Sequence, residues 1–454
     1  MEPPSIHASL AEARDLSAAG QDEAATSAYL ALLSRAPNHL EALMEIAALA
    51  MRGGHRTAAM TAYRQAAISH PADTASRINL GGLLLDAGVA DAAREAFAEA
   101  VALAPALPAA RQGLARALMA LGETDAGRAL WADAFSDGWL APQPYRGPPG
   151  QGVRVLLLVA SEGGNMPTAA LLDDRLFAVT AAYADFAGHA QELPAHDVIF
   201  NAIGDADLCG AALEGARRIV AMSPAPVVNA PERVAQTGRA ANAARMAAIP
   251  GLIAPAMRQL PRQALLADRA LAFPLLLRSP GYNTGQHFVR VERRDDLEAA
   301  AADLPGGALI AIEPLEARGR DGLWRKYRAM FVGGAILPLH LAVSRHWKTH
   351  YFTADMAACA ARRREEAAFL DDMAGTIGSR AMAALGGVEA TLGLDYAGVD
   401  FGLDAEGRLL FFEANPGMAV LAPGPEPMWD YRRAPAARVV EAARALVIGR
   451  ALAG

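Results

Sequence analysis

Cysteine is scarce in this sequence, because the 454 residues include only Cys209 and Cys359. Two cysteines cannot form a disulfide framework, and such low usage is typical of a reducing compartment, so we predict a cytoplasmic protein. The N-terminal residues lack the basic segment and the apolar run of a signal peptide. The most apolar stretches, such as residues 153–160, are too short to span a bilayer, so no membrane partner is expected.

The chain also lacks a large excess of either positive or negative charge. Charged residues make up 20% of the chain, and the formal net charge is −7 at pH 7. This mildly acidic balance provides no basic face, so nucleic acid is not expected as a partner. Apolar residues make up 53%, which is enough for a large core, and the length predicts roughly two to four domains.

Four sets of residues in the first third of the chain recur with a spacing of 34 positions. The sets are Gly20, Gly54, Gly88 and Gly122; Ala24, Ala58, Ala92 and Ala126; Tyr29, Tyr63, Phe97 and Trp131; and Pro37, Pro71 and Pro105. The glycines suit a left-handed residue at a helix end, and the alanines allow helices to approach closely. The aromatic rings fill the gap between paired helices, and the prolines separate one unit from the next.

A spacing of 34 with this pattern resembles the tetratricopeptide repeat. The resemblance predicts four helix pairs, at residues 6–39, 40–73, 74–107 and 108–141, which form an all-α solenoid domain over residues 6–141. Stacked pairs create a concave groove that usually binds a protein or peptide partner. A spacer or an oligomerisation module is the alternative.

The composition changes at residues 142–152, which form a Pro- and Gly-rich linker. Residues 153–160, 197–203 and 227–229 are apolar runs typical of buried strands, and residues 171–187 indicate a helix. Strands that alternate with helices predict parallel α/β layers, so we assign residues 153–255 to an α/β domain.

Two apolar strands flank a turn at residues 404–407, which predicts a hairpin. Asp400 lies on the first strand, and Glu413 and Asn415 lie on one face of the second. The hairpin therefore brings two carboxylates and an amide oxygen together. Because Mg²⁺ prefers oxygen ligands, we predict these three residues as metal ligands. An acidic hairpin in solvent is the alternative.

The segments Val-Asp-Phe at 399–401 and Glu-Ala-Asn-Pro-Gly at 413–417 resemble the metal-binding hairpin of the ATP-grasp superfamily, particularly of D-alanine–D-alanine ligase-like enzymes. The resemblance implies an α+β ATP-grasp domain over residues 256–454, preceded by a pre-ATP-grasp α/β domain at residues 153–255. It also implies that ATP and Mg²⁺ are the cofactors, with Asp400 and Glu413 holding two Mg²⁺ ions and Asn415 completing the shell of one of them.

Two further segments resemble the phosphate-binding parts of this superfamily. One strand ends at Arg278, and the resemblance places the following loop over the triphosphate. The loop residues are Gly281, Thr284 and Gly285. Arg239 stands in the second segment, with a helix-surface charge as the alternative. Both arginines replace a usual Lys, and an Arg can still bind phosphate.

The strand at residues 308–312 ends at Glu313 and resembles the hinge that binds adenine, with Leu315 as the second contact. The resemblance also implies an acid that binds the ribose. Glu316 and Asp321 are both candidates for that role.

Arg328 lies on a hairpin that turns at residues 333–334 and resembles the family strand whose Arg approaches the transferred phosphate. Arg328 and Arg278 are therefore the candidate catalytic residues. A dense set of cations and aromatic residues follows, with an exposed edge strand as the alternative interpretation. The candidates for binding an acidic substrate are Arg345, His346, Lys348 and His350.

The resemblance predicts an ATP-dependent carboxylate–amine ligase that forms an acyl phosphate and couples it to an amine of an amino acid or peptide. The repeats would recruit a protein or peptide partner. Gly398 stands where D-alanine–D-alanine ligases carry an Arg, so D-alanine is not the expected substrate. A small-molecule kinase and a non-catalytic nucleotide-binding adaptor are the alternatives.

Overall fold

The computed structural model describes residues 5–135, 138–161, 163–187, 192–282, 285–349, 354–424 and 426–453, apart from the side chains of Ala18 and Arg52. The chain forms two compact units, Met1–Trp139 and Leu140–Gly454. None of the helices in these described ranges is both long and apolar enough to cross a membrane.

The first unit consists of consecutive helix pairs. The helices are α1 (Ile6–Ala18), α2 (Asp22–Arg35), α3 (Leu40–Arg52), α4 (Arg56–Ser69), α5 (Thr74–Asp86), α6 (Ala90–Leu103), α7 (Pro108–Ala120) and α8 (Thr124–Ala134). One pair occupies each predicted unit, so the helical repeat is confirmed. The recurring glycines Gly20, Gly54, Gly88 and Gly122 follow the first helix of each pair, with φ values of 75°, 77°, 77° and 86°.

The recurring aromatic residues Tyr29, Tyr63, Phe97 and Trp131 are buried, as predicted. The prediction for the alanines was wrong by one position. Ala24, Ala58 and Ala126 are exposed and Ala92 is half-buried. The small residues that pack between helices are the next ones along, Ala25, Ala59, Ala93 and Gly127. An added Cβ at Gly127 would lie only 2.6 Å from the Met119 Cγ atom, so this position tolerates no side chain without a shift.

The second unit contains three sheets. The first sheet consists of β1 (Leu140–Pro142), β2 (Val153–Val159), β3 (Phe177–Tyr183), β4 (Val198–Asn201) and β5 (Val227–Val228), in the order β1-β3-β2-β4-β5. All neighbours are parallel except β1 and β3. The three predicted strands are confirmed as β2, β4 and β5. The helix predicted at residues 171–187 is wrong, because β3 pairs in parallel with β2 over its full length.

Two further sheets, antiparallel except for the parallel pair β14 and β6, carry most of the candidate residues. The second sheet consists of β7 (Met257–Pro261), β8 (Leu275–Arg278), β9 (Phe288–Val291) and β10 (Ala308–Ile312), in the order β7-β10-β8-β9. The third consists of β6 (Leu252–Ile253), β11 (Trp324–Val332), β12 (Ala335–Ser344), β13 (Tyr396–Leu403) and β14 (Leu409–Asn415), in the order β12-β11-β13-β14-β6. The predicted hairpins β11–β12 and β13–β14 are both present, and β8 and β9 also pair in an antiparallel manner.

Helices cover these sheets. They are α9 (Gly210–Ala221), α10 (Pro231–Val234), α11 (Arg239–Met246), α12 (Arg262–Ala267), α13 (Leu297–Ala302), α14 (Ala360–Asp371), α15 (Met373–Leu392, interrupted at Gly378) and α16 (Arg433–Ala453). One apolar core joins the first and third sheets through α16, with Phe200, Met330 and Val439 among its buried members. A separate core lies between the second sheet and α12 and α13. The boundary between residues 153–255 and 256–454 stays a prediction, and β6 at its edge pairs with β14.

Candidate functional site

Four polar side chains lie at one level of the third sheet, on four neighbouring strands. Arg328 on β11 is the cross-strand partner of His340 on β12 and of Asp400 on β13. Asp400 is in turn the partner of Glu413 on β14, as the hairpin prediction expected. We call His340, Arg328, Asp400 and Glu413 the transverse row. The register shifts between Arg328 and Ala329 and between Asp400 and Phe401, and because β11 and β13 are antiparallel, the two bulges lie on opposite sides of the row.

Asp400 is bound by two cations. The Arg328 Nε atom lies 2.6 Å from Asp400 Oδ1, and its Nη2 lies 2.8 Å from Oδ2. The Lys326 Nζ atom lies 2.9 Å from the same Oδ2. Burial, with 3% of the residue exposed, would raise the carboxyl pKa, but the attraction of Arg328 and then of Lys326 outweighs it. The pKa of Asp400 therefore lies well below its usual range, and the side chain is ionised at neutral pH.

Glu413 is held through one of its two oxygens. Arg239 Nη2 donates to Glu413 Oε1 over 2.7 Å, and Asn415 Nδ2 donates to the same atom over 2.8 Å. Burial raises the pKa of Glu413. The charge of Arg239, the hydrogen bond that Arg239 donates and the charge of Arg278 lower it by more than burial raises it. The net direction is downward, so Glu413 is also ionised. Its Oε2 accepts no hydrogen bond within the described part of the chain.

Arg239 is positioned by the start of α11. Its backbone N–H donates to Asp207 Oδ2 over 2.8 Å, which fixes the first turn of the helix. The guanidinium then reaches across to the third sheet and meets Glu413. Burial lowers the pKa of Arg239, but the attraction of Glu413 outweighs it, so the pKa is raised and the charge is retained.

Arg278 is a buried cation at the end of β8, with only 7% of the residue exposed. It donates to the Tyr282 carbonyl, and its Cζ lies 5.5 Å from the centroid of the Phe288 ring. Its Nε has no hydrogen-bond partner among the described residues. Burial and the repulsion of Arg239 lower the pKa of Arg278 to about 10, so it still carries a charge at neutral pH. A buried donor of this kind suits an anionic ligand.

A cavity of about 560 Å³ contains these groups. The predicted residues that line it are Arg239, Arg278, Gly285, Glu313, Leu315, Arg328, Lys348, Asp400, Glu413 and Asn415. Among the described residues, the predicted ones that do not line it are Gly281, Glu316, Asp321, Arg345 and His346. Thr284 and His350 lie outside the described residues. The structure thus brings together the predicted metal ligands and three of the predicted arginines.

The wall of the cavity near the predicted hinge is apolar. It is formed by Met257, Leu276, Ile312, Leu315 and Phe412. Glu313 is fixed beside it, because its N–H donates to the Ala256 carbonyl over 2.9 Å and its Oε2 accepts from Ala256 N–H over 3.0 Å. Neither candidate for the ribose acid reaches this wall, and Asp321 pairs with Arg325 instead, over 2.7 Å.

Several residues of the cavity were missed by the sequence analysis. Lys326 and His340 belong to the strands already singled out, and Lys326 could have been found from its position two residues before Arg328 on the same face. Trp347 and Phe288 also line the cavity, with ring centroids 5.4 Å apart. Lys348 Nζ donates to the Phe288 carbonyl over 3.1 Å, so the segment after β12 contacts the start of β9.

The oxygen donors of the cavity are of the kind that Mg²⁺ prefers. The described residues contain no group of three or more His, Cys, Asp or Glu side chains that could hold a metal ion. The cavity instead offers two ionised carboxylates, Asp400 and Glu413, and the amide of Asn415, whose Oδ1 accepts from Gly417 N–H over 2.9 Å. These are hard oxygen donors, and Glu413 Oε2 has no competing bond among them. The chemistry of the set fits one Mg²⁺ that is shared with a phosphate ligand.

No family model matches the chain, and no curated protein sequence matches it. Among solved structures, a crystal structure of MamA is 21% identical over 27% of this chain and 72% of that chain, with a TM-score of 0.26. MamA from Desulfovibrio magneticus RS-1 is 18% identical over 29% of this chain and 74% of that chain, with a TM-score of 0.27. These scores are too low to support an argument about function.

Proposed function

We propose that the chain is an ATP-dependent ligase of the ATP-grasp type, which activates a carboxylate as an acyl phosphate and couples it to an amine. One observation carries this proposal: the buried Arg278, whose Nε has no partner within the described residues, faces a cavity that also contains two ionised carboxylates. Phosphate groups need cations and backbone donors, and their metal ion needs carboxylates. The cavity offers the cations and the carboxylates together.

Each group has a role in this proposal. Arg278 and Arg239 would bind the triphosphate, and the apolar wall beside Glu313 and Leu315 would hold the adenine. Glu413 and Asn415 would hold Mg²⁺, which neutralises phosphate charge when bound, and Asp400 is the third predicted ligand. The cavity is large enough for a nucleotide together with a small acceptor, at about 560 Å³.

The reaction requires positioning rather than a protein nucleophile. A substrate carboxylate oxygen attacks the γ-phosphorus, the bond to ADP breaks, and an acyl phosphate forms. An amine then attacks the acyl carbon, the bond to phosphate breaks, and the amine loses a proton. Arg328 and Arg278 would stabilise the charge on the transferred group, because both are fixed and partly desolvated before the ligand arrives.

The repeats are proposed to recruit a protein or peptide partner. Their helix pairs are confirmed, and stacked pairs of this kind usually bind extended segments. This role is tested by pull-down with the full chain against a peptide library, with a chain that lacks residues 1–139 as the comparison.

Nucleotide binding is tested first, by calorimetry with the full chain, Mg²⁺ and a non-hydrolysable ATP analogue. We expect Arg278→Met to weaken binding roughly tenfold to hundredfold, because it removes charge-assisted hydrogen bonds. The matched control is Arg408→Met on the β13–β14 hairpin, whose side chain is outside the cavity and pairs with Asp404. Equal affinity in wild type and Arg278→Met would contradict the proposal.

Catalysis is tested next, with ATP, candidate amino acids and peptides, and mass spectrometry of the products. A coupled product that disappears in Glu413→Gln supports the ligase. A phosphorylated product without coupling would instead identify a small-molecule kinase.

A second candidate function, a non-catalytic nucleotide-binding adaptor, is favoured by one observation. Both oxygens of Asp400 are already bound by cations, which is the arrangement expected of a structural ion pair. Nucleotide binding without any turnover across the substrate panel would support the adaptor and reject the ligase.

A further inference from the structure

Lys326 is a cavity residue to which the resemblance assigns no role. It lies on β11 two positions before Arg328, so both side chains project from the same face of the strand. Its side chain is 16% exposed, and its Nζ lies 2.9 Å from Asp400 Oδ2. The single charge of Asp400 is therefore balanced by two cations rather than one.

The two carboxylates of the transverse row differ in how many of their oxygen atoms accept hydrogen bonds from side chains. Asp400 accepts from Arg328 on Oδ1, and from both Arg328 and Lys326 on Oδ2. Glu413 accepts both of its hydrogen bonds on Oε1, and its Oε2 accepts none within the described residues. A metal ion can reach Glu413 without displacing a side chain, whereas it can reach Asp400 only by displacing one.

Strand pairing fixes the positions of the two cations that bind Asp400. Arg328 is the cross-strand partner of Asp400, so the two side chains stay adjacent as long as β11 and β13 are paired. Lys326 is anchored in the same way, because it pairs with Ala342 on β12. Neither cation lies on a loop that could swing away.

We infer that the Lys326 ammonium takes the place beside Asp400 that a second divalent cation would occupy, so that the chain binds one metal ion per nucleotide, at Glu413 and Asn415. This inference rests on the proposed nucleotide binding and specifies its metal content. Lysine suits the role because its ammonium is a compact charge on a flexible stem. Mg²⁺ needs oxygen ligands at about 2.0–2.1 Å in near-octahedral geometry, so an ammonium hydrogen-bonded to Asp400 and a metal ion cannot share that position.

The test counts metal ions on the full-length protein. The chain is dialysed to equilibrium against Mn²⁺ and a non-hydrolysable ATP analogue, and bound Mn²⁺ and bound nucleotide are measured in the same sample. We expect about one Mn²⁺ per nucleotide in wild type and about two in Lys326→Gln. Electron paramagnetic resonance gives an independent readout, because two neighbouring Mn²⁺ ions couple and a single ion does not.

Two variants serve as controls. Lys326→Arg keeps the charge and should keep about one Mn²⁺ per nucleotide. Arg408→Gln removes one cation from the same hairpin outside the cavity and should also match wild type. Circular dichroism of every variant confirms that the count comes from folded protein, and Lys326→Met replaces Lys326→Gln if the latter does not fold.

The outcomes separate this inference from the proposal beneath it. Two Mn²⁺ per nucleotide in wild type, or one in both wild type and Lys326→Gln, would overturn the inference while leaving nucleotide binding intact. Absence of bound nucleotide in wild type would overturn both. One ion in wild type and two coupled ions in Lys326→Gln would support the role of Lys326.

Discussion

His340 should make the stability of this protein fall as the pH falls below neutrality. The imidazole is buried, with 6% of the residue exposed, and it faces Arg328 in the transverse row. Burial and then the repulsion of Arg328 lower the pKa of His340 well below its usual value of 6.5, and the attraction of Asp400 only partly opposes this. The folded chain therefore keeps His340 neutral at a pH at which the unfolded chain protonates it.

The direction and size of the stability change follow from the lower pKa of His340 in the folded chain than in the unfolded chain. Below pH 6.5 the unfolded chain binds a proton that the folded chain does not, so the stability is fully present above that pH and is lost as the pH falls. One pH unit corresponds to about 1.4 kcal/mol for one such group, so acidification from pH 6.5 to pH 5 should cost about 2 kcal/mol. His340→Gln cannot titrate and should lack this part of the loss.

The assay is urea unfolding of the full chain at several pH values between 7 and 5, read by hydrogen exchange of peptides from β11 and β12. Other titrating groups contribute equally to wild type and variant, so the difference between the two isolates His340. His346→Gln is the control, because that imidazole is exposed and close in sequence. Parallel pH profiles for wild type and His340→Gln would refute the argument.

Three other substitutions should change stability or ligand release by amounts that follow from their contacts. Glu366 is fully buried and accepts from the Tyr431 hydroxyl over 2.5 Å and from Arg432 Nε over 2.9 Å. Glu366→Gln should therefore cost about 3–5 kcal/mol in urea unfolding, because it removes the buried negative charge that faces the Arg432 guanidinium. A urea unfolding midpoint equal to that of wild type would contradict this prediction. A Cβ at Gly113 would lie 2.0 Å from the ring of Phe97, so Gly113→Ala should destabilise the repeat unit by about 1–3 kcal/mol. Adding Phe97→Leu to the same chain should recover part of this lost stability, because it removes the ring that the new Cβ would meet. Trp347→Ala removes the ring contact with Phe288 at the cavity, which is worth about 0.5–1.5 kcal/mol. If this contact helps to retain the nucleotide, the variant should release a fluorescent ATP analogue between about twofold and tenfold faster in stopped flow. An unchanged release rate would show that the contact does not retain the nucleotide.

The repeat was predictable because each unit repeats the same local contacts, and one error within it shows the limit. Ala24 and Ala25 are adjacent alanines, and the same is true of the two following units. Neighbouring helix residues differ by about 100° in direction, so only one of the two faces the partner helix. A pair of identical residues does not reveal which one, and only the last unit, with Ala126 before Gly127, distinguishes them.

The segment at residues 171–187 is predicted as a helix, and alanines such as Ala178, Ala181 and Ala182 do favour helix. In the structure, Phe177, Val179 and Ala181 alternate as buried residues along β3, and the strand takes its hydrogen bonds from β2. Pairing with a strand 24 residues earlier in the chain outweighs the local preference of alanine for helix. A propensity argument over a short window does not include that pairing.

The hairpin was recognisable because its acidic residues are close in the sequence and its turn has ordinary chemistry. The transverse row was not, because its members come from residues 328, 340, 400 and 413, which only the strand order β12-β11-β13-β14 brings to one level. Lys326 could be placed on the same face of β11 as Arg328, but its ion pair with Asp400 depends on the strand order, which the sequence of β11 does not indicate.

The arrangement of the row also explains why charge can be kept in a nearly dry part of the sheet. Arg328 lies between His340 and Asp400, and a neutral imidazole on one side leaves the guanidinium free to make two hydrogen bonds on the other. If the imidazole were charged, the row would contain adjacent like charges with little solvent to screen them, and the bonds to Asp400 would weaken. Burial is the largest cause of the low pKa of His340, and Arg328 lowers the pKa of both of its neighbours, His340 and Asp400. Glu413, which would hold Mg²⁺, lies on β14, and the strand order places β13 with Asp400 between it and the cations of β11.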